Sequence, residues 1–156
     1  MLKVDNNLFE KLKSCVEKAH PNEACGLIFG NVSEHKEPNK EGNYSYHYNA
    51  FKFKCIESSQ KSPIAFLMDD YLALIKLSDI YQKNFNFQLL SIFHSHPGSA
   101  IPSGVDIPYM ESFYKSNIKK FRHLIWTIMN ARTQELKGFI YIFDELKQIN
   151  VTINKT

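Results

Sequence analysis

The sequence predicts an α/β (α+β) protein, a mixed β-sheet flanked by helices, and three observations predict it. Short apolar runs of strand length recur along the chain, as at 24–29, 88–93, 123–129 and 138–143. Two longer stretches, 6–19 and 71–84, space their apolar residues at helical intervals. The resulting order, α-β-β-β-α-β-α-β-β-β, mixes hairpin connections with helical crossovers, so parallel and antiparallel pairs must share one sheet.

Taken in order, residues 6–19 put Leu8, Leu12, Cys15, Val16 and Ala19 on one stripe with lysines and glutamates between. This is an amphipathic helix, capped by Asp5 or Asn6 and stopped before Pro21. The run 24–29 is apolar and bounded by Gly30 and Asn31. It reads as a central strand in which Gly26 marks a close backbone approach or a bulge. Residues 31–42 are polar, contain Pro38 and Gly42, and are expected as a surface loop. Alternating Tyr44, Tyr46 and Tyr48 mark a half-exposed strand whose ring stripe reads as packing, with a docking strip as the other reading. Residues 52–63 are mixed and read as irregular apart from a short strand at 53–56. Residues 64–68 read as another strand. Asp69 or Asp70 then caps a helix to about Asn84, with Tyr71, Leu74, Ile75, Ser78 and Tyr81 inward.

The run 88–93 reads as a buried strand. A tight turn at 103–106 should lead into a helix to about Asn117, with Pro108 in its first turn and Ile107 pushed out of helical geometry. Residues 123–129 are rich in β-formers and read as a core strand. The stretches 138–143 and 149–153 are expected to form a terminal hairpin around 144–147.

Composition bounds the function. A chain of 156 residues with 44% hydrophobic and 22% charged residues is expected as one soluble domain over 1–156. A net charge of +3, with no Lys/Arg run longer than two, does not suggest a nucleic-acid partner. There is no apolar stretch long enough to cross a membrane and no signal-peptide core at the N-terminus, so a cytoplasmic location is expected. Cys15, Cys25 and Cys55 show no metal-ligand spacing and read as buried reduced thiols.

The chemistry concentrates in His94-Ser95-His96-Pro97-Gly98-Ser99-Ala100-Ile101-Pro102-Ser103-Gly104-Val105-Asp106. On a strand, side chains repeat with period two, so His94 and His96 share a face. Two imidazoles and an aspartate are the ligand types of an open zinc site, in which three protein groups leave a fourth position for water. Hydrolysis would also need a base beside that water and a donor for the oxyanion. Glu23, at the mouth of one core strand, and Ser103 are the candidates. Ser-x-x-Asp also reads as a capping box, with Ser103 as N-cap. Both roles are compatible for Ser103, whereas Asp106 is expected as ligand rather than cap. Cys25 reads as a packed thiol rather than a further ligand, and His20, His35, His47 and His123 as structural or surface residues.

Glu23, His94-Ser95-His96-Pro97 and Ser103-Gly104-Val105-Asp106 together resemble the signature of the JAMM (MPN+) zinc metalloproteases. Pro21-Asn22-Glu23-Ala24-Cys25-Gly26-Leu27 is similar to that family's first core strand, and Phe66-Leu67-Met68-Asp69 to the entry to its second helix. Order and length match over roughly 5–153, and Ser-Gly-Val-Asp resembles the proteasome-lid deubiquitinase and its archaeal relatives. One departure is a loop of six residues, Pro97 to Pro102, one fewer than usual for the family.

The resemblance implies the MPN/JAMM fold, a curved mixed sheet of cytidine-deaminase-like architecture. It implies one Zn2+ on His94, His96 and Asp106, with Glu23 as general base and Ser103 as donor to the tetrahedral intermediate. The implied partners are ubiquitin-like or sulfur-carrier proteins and their conjugates; a homodimer or an activating partner is left open. The expected activity is that of an isopeptidase cutting after the C-terminal glycines of a ubiquitin-like modifier. Two other readings are a protease trimming the C-terminus of a sulfur carrier and a catalytically inactive scaffold subunit.

Overall fold

A computed structural model describes residues 1–36, 44–56, 71–121 and 123–154. The chain opens with β1 (Leu2–Asp5), where Leu2 and Val4 point inward and are fully buried. Asp5 then caps α1 (Asn6–Ala19): its Oδ1 accepts the Leu8 N–H at 2.7 Å. This satisfies one of the donors a helix start leaves free. Leu8, Leu12, Cys15 and Val16 form the buried stripe expected from their spacing. Asp5→Ala is expected to cost about 1 kcal/mol of stability, read as a lower denaturant midpoint at unchanged slope.

Next come β2 (Cys25–Lys36), β3 (Tyr44–Ile56), α2 (Tyr71–Phe85), β4 (Gln88–His96) and α3 (Asp106–Lys115). A 3-10 turn at Lys119–Phe121 precedes β5 (Ile125–Asn130), β6 (Leu136–Ile142), β7 (Glu145–Ile149) and β8 (Val151–Asn154). The eight strands form one sheet in the order β7-β6-β5-β4-β2-β3-β1-β8. β4 lies near its middle, antiparallel to β2 and parallel to β5.

The two edge strands, β7 and β8, are joined through Asn150 alone. Ile149 and Val151 both crowd the bare face of Gly138, where a Cβ would stand 3.0 Å from each. The sheet therefore curls until it is nearly closed. One core lies between the sheet and α2 and α3, around Leu27, Phe29, Ile92, Phe113 and Trp126. The other lies against α1, around Leu8, Leu12, Ile28, Phe93 and Met129.

The mixed α+β architecture stands as the sequence predicts, and several details are corrected. Residues 31–36 are not loop: they extend β2 and pair with 44–49 of β3. The short strand expected at 53–56 is the end of a longer one, because β3 is continuous from Tyr44 to Ile56, and residues 57–63 lie outside the described residues. Gly26 does allow a close approach, since a Cβ there would stand 2.4 Å from the Phe53 ring. The terminal hairpin turns at Phe143–Asp144, both at positive φ, and the 151–154 segment leaves β6 to pair in parallel with β1. The expected strand at 64–68 and the capping aspartates at 69–70 lie outside the described residues. Tyr48 packs on the second core, while Tyr46 is exposed.

The cysteines are not three free thiols. Cys15 on α1 and Cys55 on β3 form a disulfide, with Cα atoms 5.9 Å apart, and only Cys25 is free. The pairing joins residues 40 positions apart, a juxtaposition created by packing α1 on β3. Sequence spacing therefore carried no sign of it. Among the described residues no helix is long and apolar enough to cross a membrane.

Candidate metal centre

β4 ends in the middle of the sheet with its two histidines on the face that meets α3. His94 pairs in register with Cys25 of β2 and Ile128 of β5, and His96 with Asn130 of β5. Neighbouring strands on both sides bury the imidazoles, leaving His94 at 0% and His96 at 7% exposure. Asp106 opens α3 and reaches back to them, itself 4% exposed.

The three contacting atoms form an equilateral triangle. His94 Nε2 and His96 Nε2 are 3.1 Å apart. Asp106 Oδ2 is 3.1 Å from His94 Nε2 and 3.1 Å from His96 Nε2. Bonds of 2.0–2.1 Å to a tetrahedral zinc put ligand atoms about 3.3 Å apart, so the triangle has nearly the edge such an ion requires. Three electron-rich atoms facing one point need a positive charge there. A proton can join only one pair of them, whereas a divalent ion serves all three. His94, His96 and Asp106 can therefore hold a metal ion, and they are the one such group among the described residues.

Charge follows the same geometry. Burial pushes the His94 pKa down, against the Asp106 hydrogen bond that raises it, and so keeps the ring neutral. Its Nδ1 is buried and finds no hydrogen-bond partner among the described residues. The hydrogen bond to Asp106 raises the His96 pKa, outweighing burial. Burial alone would push the Asp106 carboxyl up, but the hydrogen bonds from His94 and His96 overcome it and hold that carboxyl well below the usual carboxylate range. Neutral imidazole and ionised carboxylate are the forms that bind metal.

Asp106 does double duty, contrary to the sequence reading of it as ligand instead of cap. Its Oδ2 also accepts the Ser103 N–H at 2.8 Å. Ser103 Oγ in turn accepts the N–H groups of Val105 at 3.3 Å and Asp106 at 3.2 Å. This is a reciprocal capping box, and it fixes the ligand and the serine in one piece. With Oγ accepting twice, the hydroxyl proton is left to donate outward. Ile107 is also corrected: its N–H donates to the Ser103 carbonyl at 3.2 Å, so it lies inside the helix. That first turn outweighs the bias against helical geometry before proline, and Pro108 falls where a missing N–H costs nothing.

Glu23 lies just before β2, half-buried. Its neighbour Ala24 exchanges two hydrogen bonds with Ser95: Ala24 N–H to Ser95 Oγ at 2.8 Å and Ser95 N–H to Ala24 O at 3.0 Å. The residue between the two histidines thus clamps the segment that carries the glutamate. Glu23 lines the same cleft as His96, Ser103 and Asp106, which places it beside the triangle. Burial raises the Glu23 pKa, with His96 opposing and Asp106 adding.

Two clefts meet at Glu23 and His96. One, of about 340 Å³, is also lined by Ser99, Ser103, Val105 and Asp106. The other, of about 270 Å³, runs between α1 and the turn after β5, past His20, Asn22, Ala131 and Arg132. A larger cavity of about 580 Å³ opens at the far end of β4, by Leu89, Tyr48 and Lys119, and contains none of these residues. We assign the site by its chemistry rather than by cavity size.

Sequence reasoning missed Ser95, Ser99, whose Oγ is 3.4 Å from His96 Nδ1, and Arg132. The signal for Ser95 was a small hydroxyl residue held between the two histidines, on the opposite face of the strand. Cys25 packs in the core rather than joining the ligands, and burial pushes its thiol up to about 12. His35 and His47 stack at 4.1 Å on the β2–β3 ribbon.

A family model for prokaryotic homologs of the JAB domain matches residues 5–136. A protein of Desulfitobacterium hafniense solved in solution is 18% identical at a TM-score of 0.64, covering 100% of this chain and 94% of its own. The crystal structure of a JAB1/MPN domain protein from Archaeoglobus fulgidus is 14% identical at a TM-score of 0.51, with 97% of each chain covered. At these identities both show likeness of fold. No curated protein matches the sequence.

Proposed function

The chain belongs to the prokaryotic JAB-domain family, and on that premise we propose that it is a zinc-dependent peptidase or isopeptidase. Its substrates would be ubiquitin-like proteins, cut after their C-terminal glycines. One observation carries the reading: the 3.1 Å triangle of two imidazole nitrogens and a carboxylate oxygen opens onto a cleft that holds a half-buried glutamate.

His94, His96 and Asp106 would hold the ion. When bound, zinc supplies a Lewis acid that polarises the scissile carbonyl and makes water acidic enough to lose a proton near neutrality. Glu23 takes that proton, a step its raised pKa favours, and passes it on to the more basic departing amine. Ser103, whose hydroxyl proton is free, donates to the oxygen that gains charge. Ser95 holds Glu23 in place through Ala24, and Ser99 orients the His96 ring. Exposed Ile101, Val105 and Ile107 rim the Ser103 side and offer apolar contact to an extended tail.

A sulfur-carrier processing protease uses the same chemistry, and the narrow cleft on the α1 side of Glu23 favours it as a second reading. An inactive scaffold is disfavoured by the complete ligand set. The test is incubation of the zinc-loaded protein with ubiquitin-like conjugates and linear C-terminal fusions, with and without a chelator. Cleavage after the terminal glycine, abolished by chelator and restored by zinc, is expected. Every conjugate and fusion remaining whole would overturn the hydrolase reading.

A further inference from the structure

We propose that the cleft between the end of α1 and the 130–135 turn is the leaving-group site, where Arg132 binds a carboxylate carried by the departing amine. The inference rests on the hydrolase reading and narrows it to one class of substrate.

The assignment of sides comes from the chemistry. In hydrolysis the water oxygen bonds to the carbonyl carbon, the C–N bond breaks, and a proton must reach the nitrogen. Ser103, the donor to the carbonyl oxygen, and Asp106 line one of the two clefts and not the other, so that cleft takes the acyl part. The proton reaches nitrogen from Glu23, so the amine must depart on the other side of that residue. The cleft on that side is the one lined by Val16, His20, Asn22, Ala131 and Arg132.

The turn that carries Arg132 is pinned to the metal centre. Ala131 N–H donates to the backbone carbonyl of His96 at 2.8 Å. Asn130, 8% exposed, accepts the Arg132 N–H at 2.9 Å and the Thr133 N–H at 3.2 Å on its side-chain oxygen. Its own backbone bonds Glu135 and Gln134 at 2.9 and 2.7 Å. An exposed turn with this much internal bonding fixes the backbone from which Arg132 projects.

The guanidinium has no ion-pair partner among the described residues. Glu135, the nearest acid along the chain, pairs with Lys137 at 3.3 Å. A free planar fork fits a carboxylate in two-point geometry. At about 270 Å³ the cleft is at the small end for ligand sites. A leaving group with a carboxylate close to its amine is an amino acid or short C-terminal peptide. A lysine side chain in a folded protein presents neither the carboxylate nor the small size.

The test compares two versions of one ubiquitin-like protein, ending Gly-Gly-Ala with a free carboxylate or Gly-Gly-alaninamide. Zinc-loaded wild type should prefer the free acid about tenfold in kcat/KM, the difference lying in KM. Arg132→Gln should bring the ratio near one through a rise in KM for the free acid, and Arg132→Lys should keep part of the preference. Equal cleavage of both by the wild type, or a ratio unchanged in Arg132→Gln, would overturn the inference and leave the hydrolase reading standing. If neither substrate is cut, the hydrolase reading fails, and binding still decides the inference. Arg132 is one of two arginines, so its Nε–H signal can be followed by NMR on adding acetyl-Gly-Gly-Ala or its amide. A shift with the acid alone supports the carboxylate site, and the same response to both refutes it.

Discussion

Glu23→Gln is expected to lower kcat by about 10³-fold while the protein still binds one zinc. The substitution keeps size and hydrogen-bonding capacity but removes the carboxylate proposed to take and return a proton. General acid–base groups contribute about 10²–10⁴-fold, and Glu23 is asked to act twice in each cycle. The metal ligands are untouched, so zinc content measured on the purified variant should equal that of the wild type. Burial, opposed by His96 and aided by Asp106, sets the Glu23 carboxyl above its ordinary value. The base works only when ionised. Wild-type kcat should therefore fall as pH drops through that raised value, and the glutamine variant should show no such limb. Activity within tenfold of wild type would assign the proton transfer to another group.

What the sequence revealed and what it hid divide along a physical line. His94 and His96 were legible because strand periodicity alone puts them on one face. Ser103 and Asp106 were legible because a three-residue spacing at a helix start brings their side chains together. α1 was legible because five apolar residues recur at helical spacing.

The tyrosine alternation marked the 44–48 arm of the ribbon, but its partner, 31–36, was not legible. That arm is held by the backbone ladder while its side chains are mostly polar and exposed, so no hydrophobic pattern records it. β1 is only four residues long, and Leu2 and Val4 are too few to distinguish alternation from chance. The Cys15–Cys55 bond, the clamp of Ser95 on Ala24 and the pinning of Arg132 through Asn130 all depend on contacts between distant segments. Local spacing cannot encode such contacts.

Asp106→Asn separates the two duties of that residue. The amide oxygen can still accept the Ser103 N–H, so the cap should survive, at a cost of about 0.3–1 kcal/mol for the charge lost at the helix start. The metal site should not survive, because two neutral imidazoles and an amide supply no negative charge to an ion. Removing a ligand's hydrogen-bonding partner already weakens metal binding by about 10–100-fold, and changing the ligand itself should exceed 100-fold in a chelator-competition titration. Affinity within threefold of wild type would refute the triangle as the zinc site.

The metal-free proteins should differ as well. In the wild type Asp106 is held below the carboxylate range, so the stability it adds is complete above its unfolded value, about 3.9. That stability drains away as pH falls toward the folded value, and the asparagine variant should lack this loss. Asp106 also raises the His96 pKa, so wild-type His96 carries more proton at pH 6 than at pH 8. Zinc must displace that proton. Calorimetry in buffers of different ionisation heat should find more proton release at the lower pH in the wild type and less dependence in the variant. The carboxylate that holds the imidazolium in the empty protein is thus the same oxygen that would hold the metal, and the two cations compete for one place.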